Sequence, residues 1–190
     1  MHFNLPMALT WLRIIVIPLF LLLFFVPHHW LAWPLRDSIA AVIFILAAVT
    51  DWLDGWLARR WRQTTAFGAF LDPVADKLMV TAALLILLYL GRLDPVVSFI
   101  IIGREITISA LREWMAKLGA SDSVAVHWLG KVKTAAQMIS IPCLLYAQPL
   151  YGISLFIVGQ VLIVIAAILT LWSMFYYLRK AWPELVKKGV

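Results

Sequence analysis

Four carboxylates sit among the most apolar stretches of this chain and restrict its possible folds more than any other feature. Asp51, Asp54, Asp72 and Asp76 lie within DWLDGWLARRWRQTTAFGAFLDPVADK, with long apolar runs on both sides. Apolar residues make up 64% of the 190 positions and charged residues 14%, more apolar surface than a soluble domain of this length could bury. The chain therefore reads as a membrane protein, and a charge near the bilayer centre costs about 2.5–3.5 kcal/mol. Four neighbouring carboxylates also repel one another. A divalent cation relieves both costs, so the stretch reads as a metal site built on two membrane helices.

The spacing agrees. Asp51 and Asp54 are three residues apart, Gly55 follows one turn after Asp51, and Ala58 and Arg59 continue close to the same helical face. Asp72 and Asp76 are four apart on a second helix, with Gly68 one turn earlier. A short basic link, Arg59 to Thr65, would make the two helices antiparallel and bring both acid pairs to one depth. Ligands that are all oxygen favour Mg²⁺ or Mn²⁺ over zinc.

Taken in order, the chain predicts an all-α integral membrane fold, with a single domain over residues 1–190 and six transmembrane helices. Residues 2–10, which contain Pro6, read as a short interfacial segment. Spans are expected at about 11–28, 37–60, 65–90, 95–118, 129–147 and 153–179. Turns are expected at PHHWLAWP, with Trp30 and Trp33 at headgroup depth, at Gly91–Asp94 and at Gln148–Gly152. The N-terminal MHFNLP lacks a cationic region, so no signal peptide is expected. Cys143 is the single cysteine, which excludes an intrachain disulfide.

Charge placement orients these spans. Arg59, Arg60, Arg62, Lys117, Lys131, Lys133, Arg179, Lys180, Lys187 and Lys188 would share one side, leaving Arg36 and Arg92 on the other. The positive-inside rule then puts both termini and the acids on the cytoplasmic side. The net charge of +6 suits anionic lipid rather than nucleic acid.

Written as a pattern, the acid stretch is D-x-x-D-G-x-x-A-R, eight residues, then G-x-x-x-D-x-x-x-D. Asp51, Asp54, Gly55, Ala58, Arg59, Gly68, Asp72 and Asp76 fill every fixed position, and the stretch resembles the signature of the CDP-alcohol phosphotransferases. The resemblance implies transfer of a phosphoalcohol from a CDP-linked donor to an alcohol, with release of CMP. It implies that Asp51, Asp54 and Asp72 hold one ion, that Asp51, Asp72 and Asp76 hold a second, and that Asp76 is the base. It implies donor binding at Gly55, Ala58, Arg59 and Gly68.

Two further segments bear on the substrates. Arg104 lies about ten residues into the fourth expected span and needs an anionic partner or a wet cavity. Glu105 beside it is one such partner. Alternatively, Arg104, Lys131 and Lys133, with Arg112, form a clamp for an acceptor phosphate. Thr10 and Arg13, within NLPMALTWLR, resemble the opening of bacterial phosphatidylglycerophosphate synthases, which places Thr10 with the donor site; Met7 departs from that pattern. The resemblance therefore implies CDP-diacylglycerol and glycerol 3-phosphate as substrates, a bacterial inner membrane and a homodimer. Ala47, Ala48, Gly159 and Ala166 are small enough for close helix contact. Another acceptor, such as inositol phosphate, stays open, as does an ion transporter, although that leaves Arg59, Arg104, Lys131 and Lys133 without a role.

Overall fold

The computed structural model describes residues 5–61, 66–117 and 128–187. The described residues form six α-helices: α1 Leu5–Leu22, α2 Trp33–Trp61, α3 Ala66–Tyr89, α4 Pro95–Lys117, α5 Trp128–Tyr146 and α6 Leu155–Lys187. The all-α expectation holds, with differences at several helix ends. Residues 5–10 run into α1 without a break, and α1 stops at Leu22 rather than 28, followed by a 3₁₀ turn over Leu23–Phe25. The basic end of the chain is helical through Lys187 rather than stopping at 179. The 148–152 turn is the tip of a small antiparallel ribbon, β1 Pro149–Leu150 and β2 Ile153–Ser154, with Leu150 paired to Ile153. Tyr151 and Gly152, at φ 50° and 80°, supply the two left-handed residues that a two-residue hairpin needs.

Local chemistry sets the tight turn between α3 and α4. Arg92 N donates to Leu87 O at 2.8 Å and Gly91 N to Leu88 O at 3.0 Å, while Gly91 takes φ 67°. This is a Schellman stop, which favours glycine at the left-handed position. Asp94 Oδ1 then accepts from Val96 N at 2.8 Å, and Pro95 takes the first helical position of α4.

The helices alternate in direction, so two ends of the bundle can be told apart. At one end, Arg92 donates to Asp37 Oδ2 at 2.6 Å near the start of α2 and to Leu145 O at 2.6 Å at the finish of α5. Gln160 of α6 donates to Arg92 O at 2.6 Å. Arg36, almost fully buried, donates to the carbonyls of Val26 and, at 3.3 Å, Leu31, and stacks 4.4 Å from the Trp33 ring. Arg36 and Arg92, placed together on this side by the charge reading, thus hold main-chain carbonyls, Arg36 in the α1–α2 link and Arg92 at the finish of α5. Burying Arg36 requires such partners, since a buried guanidinium left unpaired is costly.

The core between the ends is apolar, with Phe20, Phe44, Leu84, Leu87, Ile141 and Ile163 buried. Gly159 lets α6 approach α5: a Cβ there would lie 2.7 Å from Leu144 Cγ and 3.1 Å from Leu144 N. Gly159 and the buried Ala47 and Ala166 therefore serve packing inside the chain. Large apolar side chains such as Ile15, Leu19, Val42, Leu46, Leu85, Val161 and Ile168 face outward. Such a surface suits lipid rather than water. Among the described residues, two segments are long and apolar enough to cross a membrane, Trp33–Leu53 and Leu155–Arg179, and Thr10–Phe25 is a shorter apolar helix. The other three helices are 24, 23 and 19 residues long, and their polar site residues dilute their apolar character.

Candidate active site

The end opposite Arg92 gathers the residues singled out in the sequence. Asp51, Asp54, Gly55, Ala58 and Arg59 all lie on the last three turns of α2, and Gly68, Asp72 and Asp76 on the first three of α3. The side chains of Asp54, Ala58, Arg59 and Lys131, and the surroundings of Gly55, lie outside the described part of the structure.

Helix α1 supports the acids. Arg13 Nη1 is 2.7 Å from Asp51 Oδ1, and Thr10 Oγ1 donates to Asp72 Oδ1 at 2.5 Å. Thr10 and Arg13 are one turn apart and both are buried, at 1% and 3% exposure. One face of α1 therefore reaches one carboxylate on α2 and one on α3. This is the physical sense of the Thr10–Arg13 spacing: it positions two of the acids and partly balances their charge. Asp51 and Asp76 line a common cavity of about 410 Å³ between α2, α3 and α5, along with Thr134 and Met138.

The described donors are carboxylate and hydroxyl oxygens, which fit a hard divalent cation. Among the described residues no three acidic, imidazole or thiol side chains converge on one point; with Asp54 outside them, Asp51, Asp72 and Asp76 are the described acids that could contribute to such a site.

A second, larger cavity of about 510 Å³ opens between α3, α4, α5 and α6. Its polar lining includes Asp76, Lys77, Arg104, Glu105, Arg112 and Lys133. Arg104 and Lys133 are buried, and both meet Glu105 Oε1, at 2.6 and 3.1 Å. Arg104 thus has the anionic partner its depth calls for, Glu105, and it also lines the basic cavity. Arg112 lies with its guanidinium carbon 5.7 Å from the centre of the Tyr177 ring. Asp76, Thr134 and Met138 line both cavities, so Asp76 stands where the acidic site and the basic pocket meet.

Some lining residues carried no signal in the sequence. Lys77 could be read as a partner for the acids, but its Nζ donates to Ser109 Oγ on α4 at 2.5 Å. Tyr177 is 1% exposed and comes from α6, about a hundred residues along the chain from the acids. Nothing local marks Tyr177 as a site residue; only the packing of α6 against α4 brings it there.

Comparison with known proteins completes the picture. The profile of the CDP-alcohol phosphatidyltransferase family matches residues 3–172. A protein of Yersinia pestis (strain Pestoides F) named CDP-diacylglycerol--glycerol-3-phosphate 3-phosphatidyltransferase is 50% identical over 189 residues, covering 98% of this chain and all of the relative. Proteins of the same name from Yersinia enterocolitica and Shigella flexneri are 51% and 50% identical, again over 98% of this chain and nearly the whole relative. The signature on α2 and α3, the two cavities joined at Asp76 and a family match over most of its length agree: the chain belongs to the CDP-alcohol phosphatidyltransferases.

Proposed function

We propose that the protein transfers the phosphatidyl group of CDP-diacylglycerol to glycerol 3-phosphate, giving phosphatidylglycerol phosphate and CMP. The observation that carries this reading is the position of Asp76, on the lining of both the acidic cavity and the basic one. A donor pyrophosphate in the first and a phosphorylated acceptor in the second would meet at that carboxylate. The printed names of the relatives specify the same pair of substrates.

Each residue then has a task. Arg104, Arg112 and Lys133, with Lys131, hold the acceptor phosphate through charge-assisted hydrogen bonds. Asp76 takes the proton of the acceptor hydroxyl. The hydroxyl oxygen forms a bond to the phosphorus that bears the diacylglycerol, and the bond from that phosphorus to the bridging oxygen breaks, so the electron pair leaves with CMP. Gly55, Ala58, Arg59, Gly68 and Thr10 face the donor. Thr10 also holds Asp72, and Arg13 holds Asp51. Two Mg²⁺ or Mn²⁺ ions bound by Asp51, Asp54, Asp72 and Asp76 would neutralise the pyrophosphate and the charge that builds on the leaving phosphate.

All six helices would span a bacterial inner membrane, with the acids and both termini at the cytoplasmic face. The positive charge clustered at the ends of α2, α4 and α6 and the start of α5 supports this orientation. We also expect a homodimer, which cross-linking in native membranes would detect.

The test is CMP release by purified protein in detergent, supplied with CDP-diacylglycerol, Mg²⁺ and an acceptor panel containing glycerol 3-phosphate and inositol phosphate. Turnover should need glycerol 3-phosphate and stop in excess chelator. Release with inositol phosphate instead would reassign the acceptor, and no release with any alcohol would reject the enzyme reading in favour of transport.

A further inference from the structure

The basic cavity contains a carboxylate that phosphate binding does not need. Four cations, Lys77, Arg104, Arg112 and Lys133, share its lining with Asp76 and Glu105. Asp76 has a role as base, whereas Glu105 has none. In a pocket that only held phosphate, Glu105 would repel the ligand and weaken its binding.

The geometry of Glu105 is specific. Its Oε1 accepts from Arg104 Nη1 at 2.6 Å and from Lys133 Nζ at 3.1 Å, contacts from its own helix and from α5 that fix the carboxylate in place. Its Oε2 has no hydrogen-bond partner among the described residues, and the side chain keeps 30% of its surface accessible in the cavity lining. Arg104 Nε, in a side chain 93% buried, is likewise without a partner among the described residues. The cavity therefore presents cationic side chains, Arg112 and Lys133 among them, to an anion, and one open carboxylate oxygen that can accept. A phosphate dianion has no proton to give that acceptor; a hydroxyl does.

We propose that Glu105 is a specificity-determining residue that reads a second hydroxyl on the acceptor, so that the cavity selects a phosphorylated polyol over a phosphorylated simple alcohol. This deepens the proposed function and rests on it. The phosphate lies among Arg104, Arg112 and Lys133. One hydroxyl faces Asp76 and attacks, and the neighbouring hydroxyl donates to Glu105 Oε2. In glycerol 3-phosphate these are the hydroxyls on the terminal and central carbons. Arg104 and Lys133 then have a second task, which is to keep Glu105 aimed.

The experiment compares two acceptors, glycerol 3-phosphate and 3-hydroxypropyl phosphate, which lacks only the central hydroxyl. CMP release is measured with CDP-diacylglycerol and Mg²⁺ for wild-type protein, Glu105→Gln and Glu105→Ala. Wild-type protein should favour glycerol 3-phosphate in kcat/KM by about 10- to 100-fold, the range supplied by one hydrogen bond to a charged group. Glu105→Ala should bring the two acceptors to near parity. Glu105→Gln, which keeps a weaker acceptor oxygen, should fall between. Equal use of the two acceptors by wild-type protein overturns the proposal, even if neither variant folds. So does a full preference persisting in Glu105→Ala while both rates fall together, because Glu105 would then only order the cations. If glycerol 3-phosphate itself gives no CMP, the proposed function fails and takes this inference with it. Failure of the inference alone leaves glycerol 3-phosphate turnover intact.

Discussion

Replacing Lys133 by alanine separates acceptor binding from donor binding. Lys133 is 2% exposed, sits on the first turns of α5 and lines the basic cavity without reaching the acidic one. Its loss does not orphan Glu105, because Arg104 still holds the carboxylate at 2.6 Å. The main cost is therefore one charge-assisted contact to the acceptor phosphate, about 1.5–3 kcal/mol. At about 1.4 kcal/mol per tenfold change, KM for glycerol 3-phosphate should rise roughly 10- to 100-fold. The phosphate is held alike in the ground and transition states, so kcat should change little. KM for CDP-diacylglycerol should stay within about twofold of wild type, since the residues proposed to hold the donor lie on α1, α2 and α3. The assay is a pair of saturation curves for CMP release, one per substrate, on variant protein that elutes as a single folded species in detergent. Equal shifts in both KM values, or a fall in kcat with neither KM changed, would refute the assignment of this cavity to the acceptor.

Three further outcomes follow from the structure. Arg92→Ala removes the part-buried Asp37 pair and the Leu145 carbonyl contact at the far end of the bundle and leaves the buried Asp37 carboxylate without its cation; thermal unfolding in detergent should come earlier while KM values of the folded fraction stay unchanged. Gly159→Ala places a methyl 2.7 Å from Leu144 Cγ and should destabilise the protein by about 1–3 kcal/mol, a loss that Leu144→Ala should partly relieve in the double variant, as read by the same melts. With Cys143 replaced, a cysteine at Tyr151, which is 97% exposed on the ribbon turn, should react with an impermeant thiol reagent added to intact cells, and one at Arg62 should not; the reverse pattern would overturn the cytoplasmic orientation.

Much of the fold and part of the site could be read from local pattern. The six helices match their expected ranges to within a few residues, except at the chain ends, the ribbon and the end of α1, which stops at Leu22 rather than 28. That success has a simple origin: a long apolar run that avoids water has to satisfy its backbone hydrogen bonds within itself, which a helix does. Asp51, Asp54, Asp72 and Asp76 were legible because helical periodicity turns their spacing into faces. Residues 5–10 join α1 without a break because Pro6 falls in its first turn, where proline is tolerated.

What pattern could not supply were the contacts between helices. Arg36 and Arg92 read only as two cations on one side in the sequence, and only the bundle shows that Arg36 holds carbonyls of the α1–α2 link and Arg92 one at the finish of α5. Glu105 looks like a partner for Arg104, and only the arrival of Lys133 from α5 turns the pair into a shared, cavity-facing group. Tyr177 reads as one more aromatic in an apolar helix until α6 packs against α4 and brings its ring near Arg112. The sequence by itself determined which residues share a helical face, because that depends on a backbone repeat of 3.6 residues. The tertiary structure alone decided which faces meet, because helices in lipid have no strong hydrophobic drive to pair and instead find partners through close packing, as at Gly159, and through polar contacts, as at Thr10 and Arg13.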